Sequence, residues 1–266
     1  MLIDYHTHTK FCKHGDGTVD DYIEYGIQLG LKEIGSSEHI PMPDQFDLQH
    51  RMNMEEFLGI YKPSFFRAKD KYSKQITVKW GIEAEFYPGT ESYIRHFSDT
   101  HSFDYVIGSV HFLGEWGFDN PKYVWKYDIR NIDEIYEEYF SAVVASARSG
   151  LFDIIGHCDL VKKFGHRPTR NFEEIYREIM NVIKKNDLCI EINTSGLRKP
   201  AVEIYPSTAI LALAKEYRIP LTLGSDAHRP EDVGRDFDIA YPLLLEYGNG
   251  KIATFSQRER TMVKLK

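Results

Sequence analysis

Again and again along this sequence, a short β-rich run ends in a histidine or an acid. The runs cover residues 2–5, 33–36, 77–82, 105–108, 152–155, 189–193, 221–224 and 252–255, with longer amphipathic stretches between them. That alternation is the pattern of parallel β/α units. The first run leads into His6 and His8, the second into Glu38 and His39, and the third into Glu83 and Glu85. The fourth leads into His111, the fifth into His157 and Asp159, and the seventh into Asp226 and His228. Parallel strands closed into a barrel bring their C-terminal ends to one rim, where active sites are built. The expected fold is therefore α/β, a barrel with polar chemistry gathered on one face.

The 266 residues suit one such barrel, and no repeat, low-complexity tract or linker divides them, so residues 1–266 are read as a single domain. Helix starts are marked by Thr18 with Asp21, Asn53 with Glu56, Asn131 with Glu134 and Asn171 with Glu174, where a side-chain oxygen accepts from a free amide of the first turn. Gly150 is a plausible stop, and Pro63 should kink or interrupt its segment. The aromatic stretch 114–130 is expected as a loop over the active site, and the basic segment 257–266 as a surface tail. A net charge of −7 argues against a broad nucleic-acid surface. Three separated cysteines suggest neither a disulfide framework nor a zinc-finger pattern. The first residues lack the regions of a secretory signal, and no apolar run has membrane-spanning length, so no membrane association and a cytoplasmic location are expected.

Residues two apart on a strand share a face, so His6-Thr-His8 offers two imidazoles to one ion, and Asp226-Ala-His228 a carboxylate and an imidazole. Such donors suit Zn, Mn or Fe, and a bridging carboxylate can hold two cations close together. Several metals are expected. A lone histidine is more often a surface or satisfied core residue, and that reading is kept for His50, His96, His101 and His166, which lie away from the strand ends. For the strand-end group the combination outweighs it, because buried polar groups need partners.

The segments His6-Thr-His8, His14-Gly-Asp16-Gly, Ser37-Glu38-His39, Gly81-Ile-Glu83-Ala-Glu85, Gly108-Ser-Val-His111-Phe, Ile155-Gly-His157 and Gly224-Ser-Asp226-Ala-His228 resemble the motif set of the polymerase-and-histidinol-phosphatase (PHP) superfamily. The fourth-strand motif running on to Trp116-Gly-Phe-Asp-Asn-Pro121 resembles its histidinol-phosphate phosphatase branch, and the likeness extends from residue 1 to about 238. The resemblance implies a distorted (β/α)7 TIM-like barrel with a trinuclear metal site at the C-terminal ends of the strands. His6, His8, Glu83 and Asp226 would hold one divalent ion; Glu83 would bridge to a second held by His111 and His157; His14, His39 and His228 would hold a third. Asp226, His228 and Glu83 would be the catalytic group. The implied activity is that of a phosphoric monoester hydrolase, converting L-histidinol phosphate to L-histidinol and phosphate in histidine biosynthesis, without a phosphoenzyme.

A phosphate monoester also calls for cationic donors. Arg198 is the first choice, since a guanidinium grips phosphate with two parallel bonds, and Lys162 or Lys163 the second. For the organic end of the substrate, Asp16, Glu115 and Asp119 are candidate acids, and Tyr87, Trp116 and Phe118 candidate aromatic walls. Three alternatives stand beside this reading. An amidohydrolase-type barrel would place a modified lysine where Glu83 stands. A PHP phosphoesterase could act on another small monoester, phosphotyrosine or nucleic acid. A metal-stabilised protein without turnover fits poorly with a complete ligand set.

Overall fold

The computed structural model describes residues 2–265, so Met1 and Lys266 lie outside the described residues. Seven parallel strands form one sheet: β1 (Ile3–Asp4), β2 (Glu33–Ser36), β3 (Thr77–Glu85), β4 (Tyr105–Ser109), β7 (Ile154–Ile155), β8 (Cys189–Asn193) and β9 (Leu221–Gly224). They neighbour one another in that order. Between β4 and β7 lies a small antiparallel hairpin, β5 (Phe112–Leu113) and β6 (Trp116–Gly117). The sheet rolls round until β9 returns to β1. Tyr5 N–H donates to the Leu223 carbonyl (3.1 Å), His8 N–H to the Ala227 carbonyl (2.8 Å), and Thr7 bridges Ala227. This is the (β/α)7 TIM-like barrel expected. The helices pack outside it, and no described helix is long and apolar enough to cross a membrane.

Strand β3 outruns its sequence run by three residues. β3 continues through Glu85, so Glu83 and Glu85 lie within it, on one face, and both are buried.

The eighth β-rich run is not a barrel strand. Residues 252–255 belong to β10 (Lys251–Ser256), which pairs antiparallel with β11 (Glu259–Lys264). The closing segment, expected as a surface tail, is therefore the second strand of a hairpin, anchored by Arg258 on Asp153 (2.9 Å) and by Arg260 on Asp187 (2.5 Å). The hairpin covers the barrel at the end opposite the strand C-termini. Phe255 packs against Tyr5 and Tyr105, and Thr222 donates to the Ala253 carbonyl (3.1 Å). Pro63 does not interrupt its helix. A π turn at Phe57–Tyr61 runs directly into Lys62–Tyr72, and the proline follows that irregular turn. Thr18 and Asn53 form the expected reciprocal caps, whereas the Asn131 and Asn171 carboxamides accept from residues two further on, Asp133 and Glu173.

Inside the barrel, the Tyr105 ring stacks on Tyr5 at 4.7 Å, and its hydroxyl donates to the Tyr5 carbonyl at 2.5 Å. The phenol reaches there only because Gly81, its cross-strand partner, and Gly35 have no side chains; a Cβ on either would overlap it. Overpacking of this kind costs about 1–3 kcal/mol. Gly81→Ala should therefore lower Tm by roughly 3–10 °C. Gly59→Ala, whose Cβ meets nothing within 4 Å, serves as the control and should leave Tm unchanged or raise it. Equal melts for both variants would contradict this account of the barrel interior.

Candidate metal centre

At the C-terminal rim, Glu83 stands among imidazoles from four neighbouring segments. Its Oε1 faces His157 Nε2 (3.0 Å), His6 Nε2 (3.4 Å) and His111 Nε2 (3.6 Å). Its Oε2 faces His39 Nδ1 (2.8 Å) and His8 Nε2 (3.3 Å). Asp226 Oδ1 lies 3.5 Å from His228 Nδ1, 3.6 Å from His8 Nε2 and 3.8 Å from His6 Nε2. Asp226 itself sits at φ 51°, in the left-handed region that aspartate tolerates better than most residues. Donors about 2.0–2.2 Å from one tetrahedral ion lie roughly 3.4 Å apart, so these spacings are those of shared coordination spheres.

Outer partners orient the rings. His6 Nδ1 donates to Glu191 (2.7 Å), His111 Nδ1 to Glu85 (2.8 Å), His14 Nδ1 to the Cys12 carbonyl (2.6 Å) and His228 Nδ1 to the Asp226 carbonyl (3.0 Å). Each bond fixes the tautomer and turns Nε2 inward. The inward atoms are then left without a well-formed hydrogen bond: His6 Nε2, His8 Nε2, His39 Nδ1 and Glu83 Oε2 are all buried and none makes one. His14 Nε2 and His228 Nε2 face each other at 2.9 Å, two lone pairs with no proton between them when both Nδ1 atoms donate. Orphaned buried groups are costly, and a cation is the one species that satisfies all of these acceptors together. Among the described residues, four triads bring their donor atoms within 4.8 Å of one another: His6, Glu83 and His157; His6, His8 and Asp226; His8, His39 and His228; and Cys12, His14 and His228.

The electrostatics agree. Burial pushes the Glu83 carboxyl up, but His6, His39 and His111 outweigh it and hold the group well below the usual carboxylate range. Burial, reinforced by His228 and His39, pushes His14 down to about 3. Burial likewise takes His39 down to about 4 despite Glu83. Both imidazoles are neutral at pH 7, with lone pairs free for a metal.

Above this rim a cavity of about 490 Å³ opens. Of the candidate substrate contacts, Glu115, Asp119, Lys163 and Arg198 line it. Lys163 is paired with Asp119 (3.0 Å), and Arg198 holds the Ser225 carbonyl (2.7 Å), Asp236 (3.2 Å) and the Thr194 carbonyl (3.4 Å). Five of the candidate substrate contacts are placed off the cavity lining. Lys162 is buried as a strut, its ammonium on Asp159 (2.8 Å), the Ile204 carbonyl (2.8 Å) and Glu203 (3.0 Å). Asp16 is exposed beside Arg229 (3.6 Å), off the cavity lining. Trp116 is buried edge-on against Tyr127 (4.9 Å) under Arg130 (5.1 Å), because an aromatic ring in a short hairpin packs downward rather than toward ligand. Phe118 is fully buried, and Tyr87 packs on Phe46 and Phe112. The 114–130 stretch does border the cavity, through Glu115, Gly117, Asp119 and Tyr123 among others.

Several cavity residues carried no sequence signal. His50, read as a surface or core residue, lines the cavity and bonds Asp47 (2.7 Å). Lys199 lines it as well, and burial together with Lys163 holds its ammonium below the usual lysine range. Ser195 Oγ donates to Asp226 (3.0 Å). Glu191 did leave a trace, as an acid inside an otherwise apolar run, Cys189–Asn193.

The PHP domain model matches residues 4–195 of this sequence. The chain belongs to the PHP family. A second model, described as PHP-associated, matches residues 209–236. The PHP domain match spans His6 through His157, and the PHP-associated match includes Asp226 and His228. A Deinococcus radiodurans protein named "Probable histidinol-phosphatase" is 39% identical, over 97% of this chain and 98% of its own length. The histidinol-phosphatase of Bacillus subtilis is 33% identical, over 91% of this chain and 98% of its own. Among solved structures, the histidinol phosphate phosphatase of Lactococcus lactis, complexed with zinc, L-histidinol and phosphate, superposes with a TM-score of 0.83 at 24% identity, covering 97% of this chain and 98% of its own; it shares the fold.

Within this PHP site the outer partner Glu191 holds two imidazole segments at once, since besides His6 Nδ1 it accepts from His157 N–H (2.9 Å) and the Asn193 carboxamide (3.0 Å). Loss of such a partner typically costs about 10–100-fold in metal affinity or activity. Glu191→Gln is expected to fall in that range when metal retention is titrated against a competing chelator. Unchanged retention would show that His6 needs no anionic support.

Proposed function

We propose that this chain hydrolyses L-histidinol phosphate to L-histidinol and phosphate in the cytoplasm, as one domain carrying three divalent cations. The observation that carries the reading is the division of Glu83, one carboxylate oxygen facing His6, His111 and His157 and the other His8 and His39. Two relatives named for this activity, 39% and 33% identical over nearly their whole lengths, support it. In the proposed assignment His6, His8, Glu83 and Asp226 hold one ion, Glu83 with His111 and His157 a second, and His14, His39 and His228 a third. Zn, Mn and Fe all suit these donors. When bound, such ions supply Lewis acidity toward phosphoryl oxygens and lower the pKa of water.

The chain's own residues do the rest. Glu83 and Asp226 would repel a phosphate dianion, so charge balance at the rim falls to Lys163, Arg198 and Lys199. Ser195 holds Asp226 in orientation. Glu115, Asp119 and Tyr123, on the 114–130 side of the cavity, face the region open to the organic part of a monoester.

The test is phosphate release from L-histidinol phosphate beside p-nitrophenyl phosphate, nucleoside monophosphates and phosphotyrosine. A kcat/KM for L-histidinol phosphate on the order of a hundredfold or more above the rest is expected, the discrimination that polar recognition of the organic end supplies. Comparable rates on all would leave a general phosphoesterase. No release from any would end the phosphatase reading.

A further inference from the structure

A monoester's phosphoryl group brings up to two negative charges and three acceptor oxygens into the cavity. Of the other cations that line it, Lys122 and Lys199 are exposed, Lys163 shares its charge with Asp119, and Arg198 already donates to two carbonyls and Asp236. Arg51 differs. It arises from the irregular segment before Met54–Glu56 and is only 2% exposed, yet it lines the cavity together with His39 and His111. Its Nη2 donates to Glu85 Oε2 (2.8 Å), and its Nε faces Asp47 Oδ2 (3.3 Å). Its Nη1 is buried and has no hydrogen-bond partner among the described residues.

An unpaired buried donor costs about 1–3 kcal/mol, and more on a charged group. Holding Glu85 and Asp47 occupies Nη2 and Nε and leaves Nη1 unsatisfied. A guanidinium is also a cation that does not lose its charge on burial, and it presents its N–H groups in a fixed plane. Glu85 in turn accepts from His111 Nδ1 (2.8 Å), so Arg51 is tied to the imidazole that faces Glu83 Oε1.

We propose that Arg51 Nη1 donates to a phosphoryl oxygen of the bound monoester, making Arg51 a substrate-binding residue that also positions His111 through Glu85. This rests on the phosphatase reading above, and it adds a phosphate contact from a part of the chain that no strand-end motif marks.

The experiment compares wild type, Arg51→Gln and Arg51→Lys as metal-loaded enzymes. The competitive inhibition constants of inorganic phosphate and of L-histidinol are measured separately, with bound metal determined on each sample. Turnover by wild type tests the phosphatase reading by itself, so failure there is distinct from failure here. Arg51→Gln retains a donor for Glu85; its phosphate constant should rise at least about tenfold, the equivalent of one charged hydrogen bond. Arg51→Lys keeps the charge without the planar fork and should show a smaller rise, roughly threefold or more. If Arg51→Gln does not fold, Arg51→Lys decides the matter. In both, the L-histidinol constant should stay within about twofold and metal content should be unchanged. A phosphate constant unmoved in the variants would overturn the proposal. So would parallel weakening of phosphate and L-histidinol with loss of metal, which is the signature of a purely structural arginine.

Discussion

Removing divalent cations should abolish hydrolysis, with a fall of at least about three orders of magnitude, and returning Zn²⁺ or Mn²⁺ should restore it. Without cations, a phosphate dianion meets Glu83 and Asp226 at the floor of the cavity, and Coulomb repulsion alone opposes its approach. The same treatment should lower Tm, because ions bound only by the folded state stabilise it by mass action. Proton release gives an independent readout. In the metal-free protein burial pushes His111 down, but Glu85 and Glu83 outweigh it and raise the imidazole to about 9. At pH 8 that ring carries a proton it must give up to bind a cation. Metal added to the stripped protein in weak buffer at pH 8 should therefore acidify the solution. Full activity after chelation, with no proton release on metal addition, would leave no role for cations in this site.

Glu83→Gln should lower kcat/KM by about a thousandfold or more, the largest effect expected of any single substitution here. Glutamine matches glutamate in size, so packing survives. What is lost is the negative charge and one acceptor: an amide presents its NH2 where either Oε1 faces three imidazoles or Oε2 faces two. A carboxylate shared between two ions cannot be replaced by a group with one acceptor oxygen, so bound metal should drop by more than one equivalent per chain. The contrast with Glu191→Gln, outside the ring of imidazoles and milder by an order of magnitude or more, separates a ligand from its support. A Glu83→Gln protein within tenfold of wild type would refute the bridging assignment.

Seven of the eight β-rich runs in the sequence are barrel strands, because burial on both faces leaves a local mark that the chain itself carries. The run at 252–255 has the same composition, and nothing local distinguishes a parallel barrel strand from one arm of a hairpin; pairing depends on residues far away. Its partner β11 has only exposed and half-buried positions, which in sequence resembles a tail. At the site, residues that follow strands were legible because topology places them all on one rim. Lys162 and Lys163 show the limit. They are adjacent in sequence, yet one turn of helix sends Lys162 into the interior and Lys163 into the cavity. Trp116 was misjudged for a related reason, since side-chain direction in a two-residue strand is set by the hairpin's packing. Arg51 and His50 lie in irregular chain, where no periodicity says which way a residue faces.

The seam between β1 and β9 also bears on the order in which this protein is assembled. Tyr5 pairs with Leu223, more than two hundred residues later. As the chain leaves the ribosome, β1 can pair with β2 early, but its other edge has no partner until nearly the whole sequence has been synthesised. Contacts this distant are slow to form, and an uncovered strand edge is an invitation to association with other chains. His6 and His8 follow that edge, so the site can be completed only when the final barrel strand has been made.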